Sequence, residues 1–123
     1  MIPTCYKLLQ ACKELVEEFP DFVYSKPYRD STTCSYTLGG DARYPDNVGC
    51  IVGQAYKRLT GKDVPDAYDD ASVADLVGSS LLAIGKTDVE NEKFLNKLIL
   101  IQERQDLGER WVDSMDAAKL LSD

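Results

Sequence analysis

The chain has 123 residues, 44% of them hydrophobic, with 14 basic against 21 acidic side chains and a net charge of −7. That length and apolar content suit one helical domain over residues 1–123 with a real core, and the negative balance disfavours nucleic acid and anionic membranes through long-range repulsion. Histidine is absent, which excludes Ser-His-Asp and Cys-His catalysis, His-ligated zinc and an imidazole proton shuttle as these are usually built.

From Thr4 to Phe19 the apolar positions Leu8, Leu9, Cys12, Leu15, Val16 and Phe19 repeat at helical spacing, with Thr4 as N-cap and Pro20 as terminator. Glu14, Glu17, Glu18 and Asp21 crowd the end of this helix, where the macrodipole disfavours anions by about 0.3–1 kcal/mol for each exposed charge in the last turn. The crowding calls for a cation or a partner. Cys5 and Cys12, two turns apart, share a side of the helix but lie too far apart for a disulfide. With no C-x-x-C pair, no basic-then-apolar leader and no apolar run of membrane-spanning length, four reduced thiols in a cytoplasmic protein are expected.

Phe22-Val-Tyr24 and Cys34-Ser-Tyr-Thr-Leu38 are short and rich in β-formers, and are expected to pair as a two-stranded antiparallel ribbon. Gly39-Gly40-Asp41 reads as a turn. Asp46 or Asn47 can cap a second helix from about Val48 to Thr60, stopped by Gly61 as a left-handed C′ residue. Gly49 and Gly53 each lower its propensity by roughly 1 kcal/mol, a cost that points to a close backbone approach. The acidic loop Lys62–Ala71 leads to a short helix opened by Ser72, with Leu76, Val77, Leu81, Leu82 and Ile84 on its buried side. Thr87-Asp-Val-Glu90 is a capping box, and no proline interrupts the stretch from Asp88 to about Leu121. A continuous helix there would be about 50 Å long, with Gly108 as the place for a break.

The glycines between Cys34 and Gly53 do not make a phosphate loop, because no Lys-Ser/Thr pair follows them and Asp41 and Asp46 would repel a phosphate. Cys34 and Cys50 lack two further zinc ligands. Asp63, Asp66, Asp69 and Asp70 invite a calcium reading, but Pro65 and Tyr68 occupy positions where an EF-hand needs an oxygen ligand and a glycine. A solvated acidic surface that meets a partner is the better expectation. Gln102, Gln105 and Asp106 interrupt or border the apolar stripe of the C-terminal helix, so each needs a specific hydrogen-bond partner. They form either a structural network or a pocket that orients a small molecule, with Trp111, Tyr36 and Tyr44 as walls. Trp111 itself is expected to anchor that helix to the second one, sharing a face with Leu107, Gly108 and Met115 and filling the room left by Gly49 and Gly53.

Gly49-Cys50-Ile51-Val52-Gly53, followed far downstream by Gln105-Asp106-x-Gly108-x-x-Trp111, resembles a group of small uncharacterised proteins of actinobacteria and their phages, over roughly the C-terminal two-thirds of the chain. The resemblance brings no activity and no catalytic residue, and it implies an accessory phage protein acting inside a bacterial host.

The expected fold is mainly α: a compact bundle of four to five helices with the small ribbon. The expected role is that of a non-enzymatic, acidic interaction protein. Its partner is a protein, one with a basic surface, met through helix faces or the acidic loop, and no metal or cofactor is called for. DNA mimicry is a weak form of this reading, since 21 acids are offset by 14 bases. The alternative is a small-ligand pocket, or a carboxylate-based enzyme, built on Gln102, Gln105, Asp106 and Trp111.

Overall fold

The computed structural model describes residues 4–25, 35–65 and 89–119. Within them the chain forms four helices: α1 (Cys5–Glu18), α2 (Ile51–Thr60), α3 (Val89–Asp106) and α4 (Trp111–Lys119). The fold is mainly helical. The expected short helix after Ser72, the acidic residues Asp66, Asp69 and Asp70, and Cys34 lie outside the described residues.

α1 forms as its spacing requires. The Thr4 hydroxyl accepts the Lys7 N–H at 3.2 Å, and Phe19 N–H closes the far end on the Leu15 carbonyl at 2.8 Å. These groups satisfy helix-end donors and acceptors that would otherwise be orphaned. Its apolar stripe of Cys5, Leu8, Leu9, Cys12, Leu15 and Val16 is buried, and α1 packs against all three other helices. The acidic end finds its cation within the chain. Arg58 of α2 pairs with Glu18 and lies 3.9 Å from Glu14, and its guanidinium holds the Glu18 carboxyl below the usual range.

The β-ribbon is not seen among the described residues, which include 22–24 and 35–38 of its two arms. Among the described residues there is no strand, only isolated antiparallel bridges joining Val23 to Arg110, Ser25 to Gly40 and Gly40 to Val48. Side chains take the place of the ladder: the Tyr24 hydroxyl accepts the Ser35 N–H at 2.9 Å and donates to the Leu38 carbonyl at 2.9 Å. Ser35 Oγ in turn accepts the Leu38 N–H at 2.9 Å and bends the backbone locally, as short polar side chains do in competition with regular structure.

α2 begins at Ile51 rather than Val48, with Cys50 at the cap position and neither Asp46 nor Asn47 capping it. The intervening backbone is committed to the preceding loop, since Gly49 N–H donates to Gly39 O at 2.8 Å and Cys50 N–H to Ser35 O at 2.9 Å. Gly49 holds a left-handed φ of 97° to do this. The close approach foreseen at Gly49 and Gly53 exists, but its occupant is not an indole. The backbone carbonyl of Tyr36 lies where a Cβ on either glycine would stand, so both positions admit only glycine without a shift of the main chain. Gly61 ends the helix in the left-handed conformation, φ 74°, as expected.

The long C-terminal stretch is broken at Gly108, φ 93°. Gly108 N–H donates to Gln105 O at 2.9 Å and Glu109 N–H to Arg104 O at 3.3 Å, which is the bond pair of a Schellman stop. An Arg104–Glu109 ion pair at 2.6 Å spans the same two positions. The break separates Leu107 from Trp111 and Met115, so the shared face expected for them does not exist: Leu107 is 80% exposed while Trp111 and Met115 are buried. α4 then starts against the segment after α1, with Trp111 N–H on Phe22 O at 2.9 Å and Val112 N–H on Pro20 O at 3.0 Å.

Candidate functional site

Gln105, Gln102, Asp106 and Trp111 are brought together at the N-terminus of α2. Gln105 sits in the last turn of α3 and is fully buried. Its Oε1 accepts the Ile51 N–H at 2.7 Å and the Trp111 Nε1–H at 3.1 Å, while its Nε2 donates to Asp106 Oδ1 at 3.1 Å. Cys50 provides no side-chain cap for α2. A glutamine 54 positions downstream therefore caps this helix and ties three elements at one oxygen. One turn earlier Gln102, also buried, donates from Nε2 to Cys50 Sγ at 3.1 Å.

Aromatic rings extend this node. Trp111 stacks on Phe22 with centroids 3.9 Å apart and planes at 22°, and Phe22 stacks on Tyr44 at 5.8 Å. Phe19 meets the Tyr44 ring edge-on at 5.1 Å. Tyr44 thus joins the cluster through Phe22. Tyr36, buried, lies against the glycine face of α2 instead. At the outer end of the stack the Tyr44 hydroxyl donates to Asp21 Oδ1 at 2.7 Å, and Arg43 bridges Asp21 at 3.0 Å and Asp41 at 2.6 Å. The Arg43 guanidinium, helped by the Val23 N–H, holds the Asp41 carboxyl far below the usual range. The Tyr44 hydroxyl and then Arg43 lower Asp21, and the bond to Asp21 raises Tyr44 in return.

Asp63, from the acidic loop, is exposed and pairs with Lys57 at 3.4 Å. Among the described residues no group of three or more Cys, Asp and Glu is placed to hold a metal ion, and no helix is long and apolar enough to cross a membrane.

Two surface hollows flank Asn47–Val48, and sequence reasoning did not single them out. One, of about 330 Å³, is lined by Leu15, Thr37, Asp46, Gln54, Lys57, Arg58 and Asp63. The other, of about 450 Å³, is a shallower depression over Ser25, Gly39, Asp41, Tyr44 and Pro45. Gln54, the polar residue directly after Gly53, lines the first of them. Its Oε1 accepts from Asn47 Nδ2 at 3.3 Å and its Nε2 donates to Gly49 O at 2.7 Å, holding the loop to the helix.

Cys5, Cys12 and Cys50 are buried free thiols. Burial pushes the thiols of Cys5 and Cys12 above the ordinary range, with neighbouring Cys50 adding to the effect at Cys12. Both the thiolate fraction and access are thereby suppressed. In a Cys34→Ser variant these three thiols should ignore a disulfide-exchange reagent in the native state and react after unfolding without added reductant. Rapid native labelling, or a mass two protons short, would count against this.

No family model, curated protein or solved structure matches the chain.

Proposed function

We propose that the protein is a non-enzymatic interaction module that binds a partner protein of basic surface in the cytoplasm, as an accessory protein of a bacterium or its phage. The observation that carries this reading is the disposition of charge. All four described arginines are engaged by carboxylates of the same chain: Arg43 by Asp21 and Asp41, Arg58 by Glu18, Arg104 by Glu109 and Arg110 by Asp113. Arginines held in this way are drawn off from phosphate recognition. The side chains of Glu17, Asp46 and Glu103 are exposed and form no ion pair among the described residues, and Lys13, Lys62 and Lys93 form none either, so it is the excess of acid over base in the whole chain that sets the sign of the field. With a net charge of −7, the surface attracts cationic partners and repels polyanions.

The test sets a fluorescent oligolysine peptide against duplex DNA at about 0.15 M salt, where the Debye length is about 8 Å. Binding of the peptide that weakens as salt rises is the expected outcome, with no mobility shift of the DNA. A reproducible DNA shift, or a peptide that fails to bind even at low salt, would sink the proposal.

A further inference from the structure

The loop between residues 37 and 48 presents apolar side chains to water on a backbone that is held in place. Leu38 is 44% and Val48 47% exposed. The loop beneath them is pinned: the Tyr24 hydroxyl donates to Leu38 O, Gly40 exchanges both backbone bonds with Ser25 at 2.9 and 3.1 Å, and Gly49 N–H closes on Gly39 O at 2.8 Å. Apolar groups on a prearranged surface lose little conformational entropy when covered, which favours binding there.

The charges beside Val48 indicate what covers it. In the 330 Å³ hollow, Asp63 is met by Lys57 and Arg58 is turned to Glu18, whereas Asp46 is exposed and meets no cation among the described residues. The two bases of the hollow are thus satisfied while one of its carboxylates is not, so the complementary occupant is a cation. Its volume lies at the small end of the roughly 300–1,000 Å³ range of ligand pockets, room for a long side chain rather than a folded element. Lysine and arginine lay their methylenes along apolar surface while the charged head reaches a carboxylate.

We infer that this hollow receives a lysine or arginine side chain of the partner protein, its charge against Asp46 and its apolar neighbours over Val48 and Leu38. The inference rests on the reading of the protein as an acidic interaction module and assigns that reading a place.

The experiment titrates isotope-labelled full chain, followed by amide chemical shifts, with an acetylated and amidated pentapeptide alternating leucine and lysine. A leucine–glutamine pentapeptide of the same pattern serves as control. The expected shifts cluster at Thr37, Val48 and Lys57. Asp46→Asn and Val48→Ser should each weaken binding by about three- to five-fold, the scale of an exposed ion pair or a half-buried side chain. Asp116→Asn, at an exposed carboxylate of α4 already paired with Lys119, should leave it unchanged. Both altered side chains at the hollow are exposed, and an unchanged melting temperature confirms that the variants fold. Lysine-peptide shifts that spread over other acidic faces and ignore Asp46→Asn would overturn the hollow and leave the broader reading standing. Equal binding of the glutamine peptide would overturn the cation, and shifts at Leu38 and Val48 that depend on protein concentration alone would replace the partner by a second copy. Failure of every lysine peptide to bind would overturn both this inference and the reading beneath it.

Discussion

Replacing Trp111 with Ala should destabilise the protein by about 3–5 kcal/mol, the range for deleting a large buried aromatic side chain, and so lower its melting temperature by roughly 10–20 °C. The indole is fully buried, stacks on Phe22 at 3.9 Å and donates to Gln105 at 3.1 Å. Its removal opens a cavity where α4 meets the segment after α1, and it unstacks a ring that also contacts Tyr44. Losses of this size approach the whole stability of many domains. Trp111→Phe separates the contributions. A phenyl ring can keep the stack but cannot donate, while Gln105 Oε1 still accepts the Ile51 N–H, so the cost should fall to about 1–2 kcal/mol. An Ala variant that melts like the wild type but fails to bind its partner would move Trp111 from the core to the site.

What could be read from the sequence was whatever its neighbours along the chain decide. Thr4, the apolar stripe of α1 and Pro20 lie within one helix length and specify that helix together. Gly61 and Gly108 work the same way, since a left-handed residue terminates a helix by bonds that reach back only a few positions. The misreadings share the opposite property. Asp46 and Asn47 looked like caps for α2, yet the true cap for Ile51 comes from Gln105, across 54 positions. The 22–24 and 34–38 segments look like strands by composition, yet the Tyr24 hydroxyl takes the bonds that a ladder would need. Gly49 and Gly53 did announce a close approach, but glycine says only that something comes near. Nothing local to them distinguishes the Tyr36 carbonyl from an indole.

The candidate residues divide in the same way. Gln102, Gln105 and Asp106 could be singled out because a polar residue on an apolar stripe must find a partner. Which partner it finds is a tertiary fact. The hollow beside Val48 was harder still to foresee, because Thr37, Asp46, Gln54, Lys57 and Asp63 come from a loop, a helix and the residues after it, and carry no common spacing.

Gln105 is the residue whose chemistry should prove least replaceable. Gln105→Leu keeps most of the volume but removes the acceptor, leaving the Ile51 N–H and the Trp111 Nε1–H buried without it. At about 1–3 kcal/mol for each unsatisfied donor, the loss should reach about 2–5 kcal/mol in urea denaturation. Gln105→Glu tests the other end of the side chain. It retains an acceptor for both donors but sets a carboxylate oxygen against Asp106 where an amide now donates at 3.1 Å. Burial and the like charge would raise the folded-state pKa of the new carboxyl above its unfolded value of about 4.3. The folded variant then binds more protons than the unfolded chain between those two values, so its stability should rise as pH falls through that window. The wild type, with a neutral amide at this position, has no such contribution. A Glu variant whose stability relative to wild type does not change with pH, or a Leu variant within about 0.5 kcal/mol of wild type, would show that the Gln105 oxygen does not hold α2, α3 and α4 together.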